Sequence, residues 1–180
     1  MLTFDLHVRP LKKDTFILIA KIKEPELCER LCRDIDEGIK KNHNNYKTNV
    51  KGKMTSFTYF NKNKNFIDFL EITRAYFQRV TSIFAKTIYC QDLGLKDAWG
   101  NLLEDKDQVM IHTHMPDLLS GILYLSDGVG TSFPQYNKTI SAEVGKFVLF
   151  DSMVEHQVHQ INSISKRYSI SFNFGSFNKR

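Results

Sequence analysis

The segment Arg167-Tyr168-Ser169-Ile170-Ser171-Phe172-Asn173-Phe174 sets the architecture expected of this chain. Tyr168, Ile170, Phe172 and Phe174 alternate with Arg167, Ser169, Ser171 and Asn173. Side chains of a strand point to opposite faces in turn, so the pattern predicts a strand with one apolar and one polar face. The apolar face belongs against a core. The polar face must meet water or a functional cavity, and an arginine two residues before a serine is suited to clamp a carboxylate there. The same texture extends upstream. Residues 99–103, 108–114, 118–126 and 146–150 read as short strands, punctuated by Asp127-Gly128, Val129-Gly130 and Phe133-Pro134. Strands of that number and spacing predict a β-sandwich or jelly roll.

The first half reads differently. Leu2, Phe4, Leu6 and Val8 alternate as in a strand, and residues 15–22 form a second apolar run. Glu24-Pro25 opens a helix whose apolar stripe is Leu27, Leu31, Ile35 and Ile39, fraying over residues 38–42. Residues 43–64 read as irregular and polar, with one candidate strand at 54–60. A second helix carries Phe66, Phe69, Leu70, Thr73, Phe77, Val80, Ile83 and Phe84 on one face, and Gly94 marks the end of the helical region. That aromatic stripe reads as core packing rather than a cofactor box. The expected plan is mainly β with two flanking N-terminal helices covering one outer face of a sheet. No linker is evident, so residues 1–180 read as one domain: supporting elements at 1–96 and a β-core at 97–180.

Composition narrows the class. The chain has 180 residues, 42% hydrophobic and 25% charged, with 14 Phe and 7 Tyr, which argues against intrinsic disorder. No apolar run approaches the roughly 18 residues of a spanning helix, and the short run at 16–20 has no cleavage pattern after it. The expectation is a cytoplasmic protein with no membrane partner. Cys28, Cys32 and Cys90 are an odd, sparse set and read as reduced thiols; Cys28 and Cys32 lack two further ligands nearby for a zinc site. The net charge of +5 is mild, and its excess lies with Asn between Lys40 and Lys64. That segment reads as a solvated loop, so nucleic acid is not an expected partner.

Of six histidines, His7 and His43 stand alone. His112 and His114, two apart on one expected strand, point to the same face, roughly 7 Å apart along it, while Val109, Ile111 and Thr113 would pack the other way. His156 follows the strand at 146–150, and residues 151–156 turn it back toward the pair. His159, three residues on, reads as structural or at the rim. Two imidazoles on one strand and a third from a neighbour can bind one metal ion. By itself, a His-x-His pair is also found on exposed edge strands.

His-x-His, a distal His, and Arg-x-Ser eleven residues later together resemble the Fe(II)- and 2-oxoglutarate-dependent oxygenase superfamily. The resemblance is to the small bacterial and phage-type members related to prolyl hydroxylases. It is carried by Ile111-His112-Thr113-His114-Met115-Pro116, Leu119-Ser120-Gly121-Ile122-Leu123-Tyr124-Leu125, Phe147-Val148-Leu149-Phe150, Glu155-His156-Gln157-Val158 and residues 167–173. It implies a double-stranded β-helix, the cupin-like jelly roll, with Fe(II) on two histidines and a carboxylate and with 2-oxoglutarate and O2 on the open positions. His112 and His156 match the family's histidine ligands. Arg167 matches the residue that pairs with the far carboxylate of 2-oxoglutarate, with Ser169 in support; Tyr124 and Asn101 are candidates for further cosubstrate contact.

The chain departs from that pattern at His114, where the family carries Asp or Glu. His114 ligates, or Asp117 reaches back through the turn after Pro116, or water fills the position; strand geometry favours His114. The implied reaction hydroxylates a small-molecule or peptide substrate, with peptidyl or free proline suggested by the resemblance, and releases succinate and CO2. The implied setting is a bacterial or phage-infected cytoplasm. A lid over the substrate is expected of residues 42–65. Oligomeric state is not readable from the sequence. Two other readings stay open: a three-histidine zinc hydrolase or lyase, and a jelly-roll binding module without catalysis.

Overall fold

The computed structural model describes residues 9–11, 15–42, 48–84 and 93–176. In chain order its elements are β1 (Arg9–Leu11), β2 (Thr15–Lys21), α1 (Pro25–Lys41), β3 (Val50–Lys51), β4 (Lys53–Met54) and α2 (Lys64–Phe84). There follow β5 (Leu93–Leu103), β6 (Gln108–His112), β7 (Leu119–Tyr124), β8 (Gly128–Phe133), β9 (Lys138–Ala142), β10 (Lys146–Asp151), β11 (His156–Val158) and β12 (Arg167–Ser176). A major sheet runs β1-β2-β10-β7-β12-β5-β4, and a minor sheet runs β3-β6-β11-β8-β9. The pairings are antiparallel, so the architecture is the expected two-sheet jelly roll with two helices.

The major sheet is buried on both faces. Leu123, Leu149, Ile170 and Phe172 face the helices, where Leu27, Leu31 and Ile35 of α1 and Phe66 and Phe69 of α2 complete one core. Ile122, Tyr124, Val148 and Phe150 face the minor sheet and pack with Phe133, Ile140 and Val154 in a second core. This double burial is why β7 and β10 read as near-continuous apolar runs. Pro25 opens α1, Glu26 sits in its first turn and Lys40 and Lys41 in its last, each complementing the helix dipole. Phe172 stands at the centre of the aromatic packing, 5.5 Å from Phe66 and 6.0 Å from Phe69 between ring centroids.

Several expectations are corrected. The strand expected at 54–60 is only Lys53–Met54. The chain then turns into a 3-10 segment, Tyr59–Lys62, because Phe60 is fully buried against Phe66 rather than alternating along a sheet. Gly94 does not close a helical region. It lies inside β5, paired with Gly175 of β12, so a long strand partner overrides the local punctuation. Residues 128–133, expected as turns, form β8, and β9 follows. Gly130 permits this: a Cβ there would lie 1.8 Å from the Ile140 carbonyl oxygen of β9. Strand β6 ends at His112 rather than 114, and a bulge between Val109 and His112 breaks its alternation, so Val109 packs against Leu103, Val158 and Ile161 while Ile111 and Thr113 are exposed. The strand expected at 2–8, His7, His43 and Cys90 lie outside the described residues.

Because β2 pairs with β10, the first half of the chain supplies a strand to the sheet that holds β12. Cys28 and Cys32 are free thiols, held well above the usual range, chiefly by burial. Among the described residues, no helix is long and apolar enough to cross a membrane.

Gly121 offers a test of the packing. A Cβ at this position would meet the Phe172 ring at 2.2 Å, and that ring is locked among Phe66, Phe69 and Phe77. Gly121→Ala is expected to destabilise the protein by about 1–3 kcal/mol, read as a lower urea midpoint at unchanged slope.

Candidate metal centre

The register of β6 and β11 builds the centre. His156 opens β11 and pairs directly with His112, the last residue of β6. His114 lies two residues past the strand, and its backbone N–H donates to the Ser152 carbonyl at 2.8 Å, which ties the segment to the loop before β11. The three rings converge: centroids lie 4.3 Å apart for His112 and His156, 4.8 Å for His112 and His114, and 5.0 Å for His114 and His156. One ring nitrogen of each lies within 4.8 Å of the others.

Two of the rings have a set tautomer. His112 Nδ1 sits 2.8 Å from the Met110 carbonyl, and His156 Nδ1 sits 3.0 Å from that of Val154. A carbonyl only accepts, so each Nδ1 carries the proton and each Nε2 keeps its lone pair for a metal. His114 Nδ1 lies at the edge of contact, 3.5 Å from Asn173 Nδ2. Phe150 packs edge-on against His156, and Trp99 against His114. Burial pulls all three imidazoles below their ordinary range. His156 falls to about 3, with His112 adding to the effect, and His114 to about 2, with His156 and His112 adding to it. Three neutral nitrogen donors within one ion's reach suit a borderline divalent metal such as iron or zinc. Among the described residues, no carboxylate joins this group. The Asp117 carboxylate is instead held by Lys96 at 3.0 Å. His159 is exposed and lies outside the cluster.

A second constellation lies deeper. Ser169 pairs in register with Asn101 of β5 on one side and Tyr124 of β7 on the other. Arg167 is only 3% exposed. Its Nε donates to the Val129 carbonyl at 2.7 Å, its Nη1 to Ser169 Oγ at 3.0 Å, and its guanidinium carbon lies 5.4 Å from the Tyr124 ring centroid. None of these partners is a carboxylate, and burial lowers the guanidinium's pKa. Tyr124 donates to Thr131 Oγ1 at 2.8 Å, and Asn101 donates to Ser171 Oγ at 3.1 Å while its Oδ1 is buried without a partner.

Two cavities meet at the imidazoles. A narrow one, about 40 Å³, is lined by His112 and His156 at one end and by Arg167, Ser169, Asn101 and Thr131. A larger one, about 410 Å³, lies over His112 and His114 and is lined by Phe57, Asp97, Trp99, Asp117 and Asn173. Trp99 belongs to both walls. The structure therefore brings together His112, His114, His156, Arg167, Ser169 and Asn101, with Tyr124 behind the guanidinium. Sequence reasoning missed Trp99, Thr131 and Asp97 as cavity residues. Asn173 was on the polar face of β12, but nothing local showed that this face is enclosed along its whole length.

The histidine shifts produce a pH dependence of definite sign. Unfolded imidazoles titrate at about 6.5, whereas the folded values are about 3 for His156 and about 2 for His114. Between those limits the unfolded chain binds more protons, so the metal-free protein should lose stability as pH falls below about 6.5. His114→Gln should make that decline shallower, by up to about 1.4 kcal/mol per pH unit, in urea unfolding followed from about pH 7 to about pH 5.

Comparison with known proteins agrees with this geometry. A family model described as "Putative 2OG-Fe(II) oxygenase" matches residues 131–173, the stretch that holds His156, Arg167 and Ser169. No curated protein matches the chain by sequence. Among solved structures, a viral collagen prolyl hydroxylase from Paramecium Bursaria Chlorella virus-1, in complex with 2-oxoglutarate, is similar with a TM-score of 0.61 at 15% identity, covering 88% of this chain and 96% of its own. A Pseudomonas putida prolyl-4-hydroxylase is similar at 0.61 and 16%, covering 88% and 92%. HygX from Streptomyces hygroscopicus, with nickel and 2-oxoglutarate bound, reaches 0.66 at 9%, covering 90% and 83%. In sequence over residues 131–173, and in fold along most of its length, this chain resembles the 2-oxoglutarate- and Fe(II)-dependent oxygenases.

Proposed function

We propose that this protein is an Fe(II)- and 2-oxoglutarate-dependent dioxygenase that hydroxylates a small-molecule or peptide substrate. The observation that carries the reading is Arg167: a buried guanidinium, without a carboxylate partner, lining the same narrow cavity as the neutral imidazoles of His112 and His156. Burying an unpaired charge costs several kcal/mol, so the position calls for an anion. A three-histidine zinc hydrolase has no use for that feature. A dicarboxylic cosubstrate would, with its far carboxylate paired to Arg167 and its other end toward the histidines.

His112, His114 and His156 would hold the iron, which supplies oxygen activation coupled to decarboxylation of 2-oxoglutarate into succinate and CO2. The chain's own groups do the rest. The Met110 and Val154 carbonyls keep the His112 and His156 rings in the tautomer that donates through Nε2. Arg167 presents a planar fork of donors, and Ser169 Oγ, bonded to Nη1, steadies it. Asn101 and Thr131 place polar groups along the same cavity, and Trp99 closes its wall against bulk water. With His114 in place of a carboxylate, the protein ligands contribute no negative charge, so a bound divalent ion keeps its full charge and attracts a dianionic cosubstrate more strongly. The prolyl hydroxylases among the structural neighbours support proline, free or peptidyl, as the first substrates to try.

The direct test is succinate release from 2-oxoglutarate under air with Fe(II), with and without candidate substrates; no release under any condition would overturn the reading. Arg167→Ala should weaken 2-oxoglutarate binding in the Mn(II)-loaded protein by roughly 10- to 100-fold. Mn(II) binding itself should be largely unchanged, and equal loss of both would assign Arg167 a structural role. Mn(II) should raise the melting temperature of the wild type in a concentration-dependent way, and His112→Ala and His156→Ala should each remove that rise.

A further inference from the structure

We propose that the larger cavity recognises an amine, its protonated nitrogen held by Asp97 against the rings of Trp99 and Phe57. This deepens the oxygenase reading by naming the substrate class and rests on it.

The cavity wall carries two carboxylates in different states. Asp117 is already paired, with Lys96 at 3.0 Å. Asp97 is half-buried, and its hydrogen bond comes from a neutral group, Asn173 Nδ2, at 2.8 Å. The orientation of that amide is set from behind, since Ser120 Oγ donates to Asn173 Oδ1 at 2.8 Å and is itself 2.8 Å from Ser152 Oγ. Asn173 thus presents its NH2 to Asp97 whether or not a ligand is present. Among the described residues no cation forms an ion pair with Asp97; Asp117 adds charge of the same sign nearby, and Lys96, itself held by Asp117, adds a smaller opposing field. A partly desolvated carboxylate facing a cavity with no cation in direct contact is one half of an ion pair.

The rest of the wall fits the other half. Phe57 and Trp99 meet edge to face at 5.4 Å between centroids, and both line the cavity. Aromatic faces attract an ammonium through their quadrupole. Trp99 is 5% exposed, and its indole N–H is buried without an acceptor. A free amine, such as that of an amino or imino acid, supplies the protonated nitrogen. A peptidyl proline does not, because its ring nitrogen is an amide that carries no proton.

Trp99 is the single tryptophan, so its fluorescence reports occupancy of this wall. The probes are benzylammonium and benzyl alcohol, alike in shape and different in charge, titrated into the full chain loaded with Zn(II) and 2-oxoglutarate. Benzylammonium is expected to bind at least tenfold more tightly, and Asp97→Asn to bring the two within about twofold. Equal affinities in the wild type, or an undiminished preference in Asp97→Asn, would overturn the inference. Should Asp97→Asn fail to fold, the wild type decides by salt: the preference must weaken as ionic strength rises, and a salt-independent preference would overturn it. Binding of 2-oxoglutarate, measured on the same sample without probes, separates the two readings. Equal probe affinities with 2-oxoglutarate bound overturn the amine site alone, whereas a cation preference without 2-oxoglutarate binding sustains the amine site and overturns the oxygenase reading.

Discussion

The antiparallel register between β6 and β11 is the constraint on which the site depends. It sets His156 opposite His112, residues 44 positions apart in the chain (156 minus 112), with ring centroids 4.3 Å apart. A slip of one residue would turn one of the two imidazoles to the other face. The register is held from outside the pair as well: Val154 and Phe150 are locked in the inter-sheet core, and the His114 N–H is bonded to the Ser152 carbonyl. The stability of the jelly roll and the geometry of the centre are therefore one problem. Mutations in the inter-sheet core act on the site through this register without touching it.

Charge is distributed along the two cavities in a consistent order. At the deep end is a buried guanidinium with neutral partners. In the middle are three imidazoles that burial keeps neutral, with repulsion from the neighbouring imidazoles adding to it at His114 and His156. At the outer end is a half-buried carboxylate whose hydrogen-bond donor is an amide. Low-dielectric surroundings strengthen each of these fields, so the deep end favours negative charge and the outer carboxylate favours positive charge. His114 belongs to the same pattern: among the described residues negative charge stands outside the imidazole cluster, on Asp97 and Asp117 of the larger cavity.

Much of this was readable from residue order. The alternation in residues 167–174, the helical stripe from Leu27 to Ile39 and the His-x-His spacing each report a local period, and local periods survive in any context. Gly130 and Gly94 show the opposite case: both looked like punctuation, and both lie inside strands, Gly94 paired with Gly175 and Gly130 at an irregularity where β9 comes too close for a side chain. Phe57 and Phe60 looked like strand residues and instead wrap around a turn, because a buried pocket beside Phe66 outweighs β propensity.

Sequence alone identified the residue types that can hold a metal and an anion, and the period-two spacing that puts Arg167, Ser169, Ser171 and Asn173 on one face. It could not say that this face is enclosed, that Asp117 is occupied by Lys96, or that Asp97, Trp99 and Phe57 share a wall with the histidines. Those facts depend on strands distant in sequence packing at particular heights, and burial of a charge is a property of what surrounds it. The same arginine on an exposed strand would be an ordinary surface residue; two sheets closing over it leave its charge buried among neutral partners.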